Sequence, residues 1–183
     1  AATAAVQPPK AAKPKSAKSK PAAKPRAVAP RSARFETGTH TCAHGTRKYR
    51  VYLPSAIGAG VPLPLLVMLH GCGQTAASYD LGAGWSTLAR HYGFALLMPE
   101  QQSANNGNTC FNWFDPEDIA RGQGEAASIR EMVGHLAGAH KIDPRRIFVT
   151  GLSAGGAMTT VMLATYPDVF AAGAVIAGLP FGR

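Results

Sequence analysis

The sequence predicts an α/β domain, a mostly parallel, doubly wound sheet covered by helices. Three observations carry this. From Arg47 onward, short extended runs alternate with longer stretches of helical period. The runs Leu65–Leu69, Phe94–Met98 and Arg146–Thr150 are largely apolar without a polar alternation, as expected of strands buried on both faces. Proline, glycine or asparagine punctuates the chain between these runs and the helical stretches.

Taken in order, Arg47–Leu53 alternates polar and apolar residues and stops at Pro54, which predicts a half-exposed edge strand. After a turn-rich stretch, Leu65–Leu69 is a buried strand. Trp85–Tyr92 is a short helix ended by Gly93, and Phe94–Met98 is the next buried strand, stopped by Pro99. Gln101–Asn112 is a polar loop. Between Gln123 and His140, the residues Ala126, Ile129, Met132, Val133 and Leu136 recur at helical spacing. Asp143-Pro144 is a turn, Arg146–Thr150 a third buried strand, Ala154–Thr165 a helix broken at Tyr166-Pro167-Asp168, and Ala171–Ala177 a fourth core strand.

Residues 1–34 differ in kind. They carry nine of the nineteen basic side chains and none of the ten acidic ones, leaving ten of each sign in residues 35–183. The sequence pI of about 9.8 is therefore a property of this segment. Without aromatic side chains and nearly without large apolar ones, it cannot bury enough surface to offset the entropy of ordering. It is read as a disordered tether ahead of a partial catalytic domain over residues 35–183. A lysine-rich arm for an anionic polymer is the alternative, and the lack of interleaved aromatic residues argues against nucleic acid. The longest apolar stretches are about half of what a membrane helix needs, so a soluble chain without a membrane span is expected. Cys42, Cys72 and Cys110 form an odd set with no metal-ligand spacing. Either Cys72 bridges Cys110, which would favour an oxidising compartment, or the thiols are free and buried.

The chemistry lies in Gly151-Leu152-Ser153-Ala154-Gly155, which fits G-x-S-x-G and falls between a strand and a helix. That context defines the nucleophile elbow of an α/β-hydrolase. The turn is so tight that side chains two positions either side of the serine would collide with backbone, and the hydroxyl of Ser153 is held out above the sheet. The Ala154 N–H, at the helix start, is one candidate oxyanion donor. His70-Gly71-Cys72-Gly73 follows the strand Leu65–Leu69, where this fold supplies its other donor; the Cys72 N–H is the candidate and Gly73 the second choice. His70 precedes the serine and is read as shaping that loop.

Several segments resemble the polyhydroxybutyrate depolymerase and feruloyl esterase family: Leu69–Gln74, Cys110–Phe114, Arg121–Glu125, Thr150–Met158 and Tyr166–Ala174. The resemblance runs from about Arg47 to Gly182. It implies a secreted or cell-envelope enzyme that hydrolyses short-chain hydroxyalkanoate esters or acyl groups on plant polysaccharides. The route it implies passes through an acyl-enzyme without metal or organic cofactor. Phe111, Trp113 and Phe114 suit either an acyl pocket or the core.

A serine nucleophile needs a base and an orienting carboxylate, which in this fold follow the serine in the order acid, then histidine. After Ser153 the chain has one carboxylate, Asp168, and no histidine. Asp168 is expected to shape the turn after Pro167. The expectation is therefore a fold truncated after the strand that follows the nucleophile helix, a fragment that is inactive by itself and lacks its acid and base. Two other readings are a scaffold that binds an anionic polymer through the basic tail, and an acyltransferase of the same fold.

Overall fold

The computed structural model describes residues 33–55 and 60–182. The predicted tether over residues 1–34 lies, except for its last two residues, outside them. Six strands form one sheet: β1 (Arg34–Cys42), β2 (Gly45–Leu53), β3 (Leu63–Leu69), β4 (Ala95–Glu100), β5 (Ile142–Leu152) and β6 (Ala172–Ile176). Their order is β1-β2-β4-β3-β5-β6. The pairs β4/β3, β3/β5 and β5/β6 are parallel, whereas β2 runs antiparallel to both β1 and β4.

Alternation along the strands sends side chains to two apolar layers. Leu65, Val67 and Leu69 face the larger layer, which is covered by α4 (Gly124–Ala139) and α5 (Ala154–Thr165) through Ile129, Met132, Met158 and Met162. Met68, Leu96 and Met98 face the smaller layer, covered by α1 (Ala76–Ala83) and α2 (Trp85–Tyr92) through Tyr79 and Ala89. A single-turn helix, α3 (Pro116–Ile119), precedes α4.

Two strand expectations need correction. Arg47–Leu53 is part of β2, which lies between β1 and β4; the sheet edge is β1. β1 escapes a hydrophobic reading because Arg34–Cys42 has few large apolar residues and its burial alternates only between partial and full exposure. Its pairing with β2 runs from Arg34 to Cys42 without a shift. The predicted core strand at Ala171–Ala177 is β6, and all five of its residues are exposed. It pairs with β5 alone among the described strands. The Asp143-Pro144 turn is an irregularity inside β5, where the register with β3 shifts between Leu63 and Leu65.

Candidate active site

Ser153 stands between the end of β5 and the first residue of α5, and its φ of 56° and ψ of −118° lie outside the regions open to ordinary side chains. Its N–H donates to the Ile176 carbonyl at 2.9 Å and its carbonyl accepts from the Ala157 N–H at 2.9 Å, so both neighbours of the elbow hold that geometry. The flanking glycines are obligatory for close approach. A Cβ on Gly151 would lie 2.2 Å from the Gly155 oxygen, and one on Gly155 would lie 2.2 Å from the Leu69 oxygen. The side chain of Ser153 is exposed, as the elbow predicts.

The loop after β3 lies against this serine: a Cβ built on Gly71 would sit 3.6 Å from the Ser153 Cβ. Its amides are not equivalent. Gly71 N–H donates to Gln74 Oε1 at 2.8 Å. Gly73 N–H lies 3.1 Å from both the Asn108 carbonyl and Thr109 Oγ1. Cys72 N–H, between them, donates to no described group, and neither does Ala154 N–H at the start of α5. Of the two sequence candidates in this loop, Cys72 therefore has the free donor and Gly73 does not.

Cys72 and Cys110 are disulfide-bonded, which settles the alternative left by composition and leaves Cys42 as the free thiol. The bridge ties the loop after β3 to the loop after β4 across 38 residues. Replacing both cysteines by serine is expected to cost about 2–4 kcal/mol, the range for closing a loop of this size. Denaturant unfolding of the oxidised and variant chains measures it.

His70 is fully buried. Its Nδ1 donates to the Gly71 carbonyl at 2.8 Å and its Nε2 accepts from the Gln101 N–H at 3.0 Å. Burial pushes its pKa down, which keeps the ring neutral in that tautomer. Both nitrogens are occupied, so His70 shapes the loop rather than serving Ser153. Asp168 makes a two-pronged pair with Arg121, at 2.7 and 2.9 Å, and that contact holds its carboxyl below the usual range. It anchors the turn after α5. Phe111 is fully buried against His70, Trp113 is half-buried against the core and Phe114, and Phe114 is 56% exposed, so Phe111 belongs to the core and the other two retain surface.

A buried polar network beneath these loops has no counterpart in the sequence reading. Glu125 and Arg47 have side chains 0% and 4% exposed and pair at 3.0 Å. Gln101 bridges them, accepting from Arg47 Nη1 at 3.2 Å and donating to Glu125 Oε1 at 2.5 Å and to the Cys110 carbonyl at 3.0 Å. The other oxygen of Glu125 accepts from the Asn112 N–H. One carboxylate thus fixes the loop that carries Cys110, and through the disulfide the loop that carries Cys72. The only trace in sequence is a glutamate among the apolar positions at the start of a helix.

The strand order and the strained strand-to-helix elbow define an α/β-hydrolase fold. An acetyl xylan esterase from Aspergillus awamori superposes with a TM-score of 0.71 at 28% identity, over 80% of this chain and 53% of that one. Poly(3-hydroxyalkanoate) depolymerase C of Paucimonas lemoignei is 53% identical over 145 residues, 78% of this chain and 35% of that protein. Feruloyl esterase B of Neurospora crassa is 40% identical over 116 residues, 63% of this chain and 39% of that protein. Residues 47–183 match the family described as Esterase PHB depolymerase, and the chain belongs to that family. The chain spans well under half the length of both curated relatives.

Proposed function

We propose that Ser153 is the nucleophile of a serine carboxylic-ester hydrolase. The observation that carries this reading is the exposed serine held at positive φ beside two unpartnered N–H groups, Cys72 and Ala154. In this mechanism Ser153 Oγ adds to the ester carbonyl and loses its proton to a base. The developing oxyanion is held by the Cys72 and Ala154 amides, which need no reorganisation because the disulfide and the helix start fix them. Collapse expels the alcohol and leaves an acyl-enzyme, which water resolves by the same path.

Among the described residues no side chain hydrogen-bonds to Ser153, and the six histidines have other neighbours: His40 and His44 face Glu131, His140 faces Glu36, His135 packs on His40 and Tyr49, His91 on Tyr92, and His70 is internally satisfied. The acid and base are therefore assigned to residues of the full protein beyond this chain. The substrate class is a polyhydroxyalkanoate or an acetyl or feruloyl ester of a polysaccharide, supported by the names of the relatives. The disulfide supports a secreted or cell-envelope location. Among the described residues, no helix is long and apolar enough to cross a membrane.

The test compares the 183-residue chain with a longer form that continues past Arg183, using a chromogenic short-chain ester. The longer form is expected to turn the ester over and the chain alone to show no Ser153-dependent turnover. Turnover by the chain alone that Ser153→Ala removes would place a base within it.

A further inference from the structure

We propose that His40, Cys42 and Glu131 form a binding site for a divalent metal of the zinc class, with the fourth position open to water, which clamps the β1–β2 hairpin onto α4. Strand periodicity puts His40 and Cys42 on the same face of β1, since residues two apart point the same way. His44 follows in the turn between β1 and β2. Glu131 comes from α4, the helix packed across that face.

The donor atoms of His40, Cys42 and Glu131 all lie within 4.8 Å of one another. His40 Nε2 is 3.6 Å from Glu131 Oε2, and His44 Nε2 is 3.8 Å from Glu131 Oε1. These separations are too long for hydrogen bonds, which close at about 2.7–3.2 Å. The His40–Glu131 separation is close to the edge, roughly 3.3–3.5 Å, of a tetrahedron whose nitrogen and oxygen ligands stand at about 2.0–2.2 Å, so a small closing of the two side chains brings both onto one ion.

The unmet hydrogen-bonding capacity points the same way. His40 Nε2 is buried without a hydrogen-bond partner, in a side chain only 14% exposed. Buried ring nitrogens are ordinarily satisfied, and ligation would satisfy this one. The His44 N–H donates to Cys42 Sγ at 3.4 Å, and that sulfur lies 3.7 Å from the Gly45 carbonyl, so the turn holds it at the hairpin end. A set of thiolate, imidazole and carboxylate suits zinc and excludes the all-oxygen shells of calcium and magnesium. In the sheet, β2, β4 and β3 separate β1 from β5, at whose end Ser153 stands. The metal is accordingly a structural staple for the edge hairpin, and its binding energy adds to folding.

The chain holds three cysteines and two are bridged, so Cys42 is the one thiol available to a metal. The full chain, stripped with a chelator and kept without reductant, is dialysed against zinc and, separately, cobalt(II). One zinc per chain and a raised melting temperature are expected. The cobalt form is expected to show a thiolate-to-metal charge-transfer band that Cys42→Ser removes. His40→Ala and Glu131→Gln are each expected to weaken zinc binding by at least about 100-fold, since losing even a residue that only supports a ligand costs 10–100-fold. Circular dichroism checks that the variants fold, and Glu131→Gln, on a half-buried helix position, keeps the test open if a strand variant does not. A wild-type chain that takes up no zinc, a cobalt form without the thiolate band, or a folded Glu131→Gln chain that binds zinc as tightly as wild type overturns the proposal.

Discussion

Ser153→Ala is expected to lower kcat for ester hydrolysis by about a million-fold in the longer, active form, while leaving its melting temperature unchanged. That loss is the scale for removing the nucleophile of a working triad, in which the members act as a unit. A smaller residual rate over water would persist, because the Cys72 and Ala154 amides would still polarise a bound carbonyl. Stability should not fall, since the side chain is exposed and its hydroxyl hydrogen-bonds to no described side chain. Steady-state kinetics with active-site titration, beside calorimetry, separates the two effects. A decrease of less than about 100-fold would assign the nucleophile elsewhere, because losing even one oxyanion donor costs about 100–1000-fold.

Glu125→Ala is expected to destabilise the chain by about 3–5 kcal/mol, because it leaves Arg47 as a buried, uncompensated cation. It also frees Gln101 and the Asn112 amide, so the loop carrying Cys110 should become labile to proteolysis before global unfolding. Glu125→Gln isolates the titration. Burial pushes Glu125 up to about 7, against the opposing pull of the Arg47 guanidinium and the Asn112 N–H. A carboxyl whose pKa is raised on folding binds more protons in the native state than in the unfolded one. Its contribution to stability is thus fully present below about 4.5 and is lost as pH rises through about 7. Denaturant unfolding between pH 4 and 8 should show a decline in the wild type that is flatter in Glu125→Gln. Equal slopes would show that the group does not titrate in that window.

What the sequence makes legible is what local pattern decides. The helix Ala154–Thr165 coincides with α5, and Gln123–His140 brackets α4, because strong apolar periodicity or firm punctuation marks their ends. The elbow is readable because strand, G-x-S-x-G and helix are contiguous. By contrast α1 has no apolar stripe: it buries Ala76, Tyr79 and Asp80 and leaves Leu81 87% exposed, and its start depends on a Thr75–Ser78 capping exchange. A run such as Ala171–Ala177 reads as core by composition, yet the residues of β6 are exposed and pair with β5 alone among the described strands. The choice between Cys72 and Gly73 as donor turns on Asn108 and Thr109, remote in sequence from both. The Glu125–Arg47 pair and the cluster around Cys42 likewise join distant segments. Reading the cysteines against one another misses that cluster, because its other members are a histidine two residues before Cys42 on the strand and a helix glutamate.

The conformation of Ser153 has a bearing on the history of such a chain. Holding a side-chain-bearing residue at φ 56° and ψ −118° costs on the order of 1–3 kcal/mol that glycine would largely recover. Heat tolerance and chemistry therefore pull this one codon in opposite directions. A lineage screened only for robustness drifts toward glycine at the elbow and goes silent without losing its fold. On the proposed role of Ser153, only demand for the reaction offsets that strain.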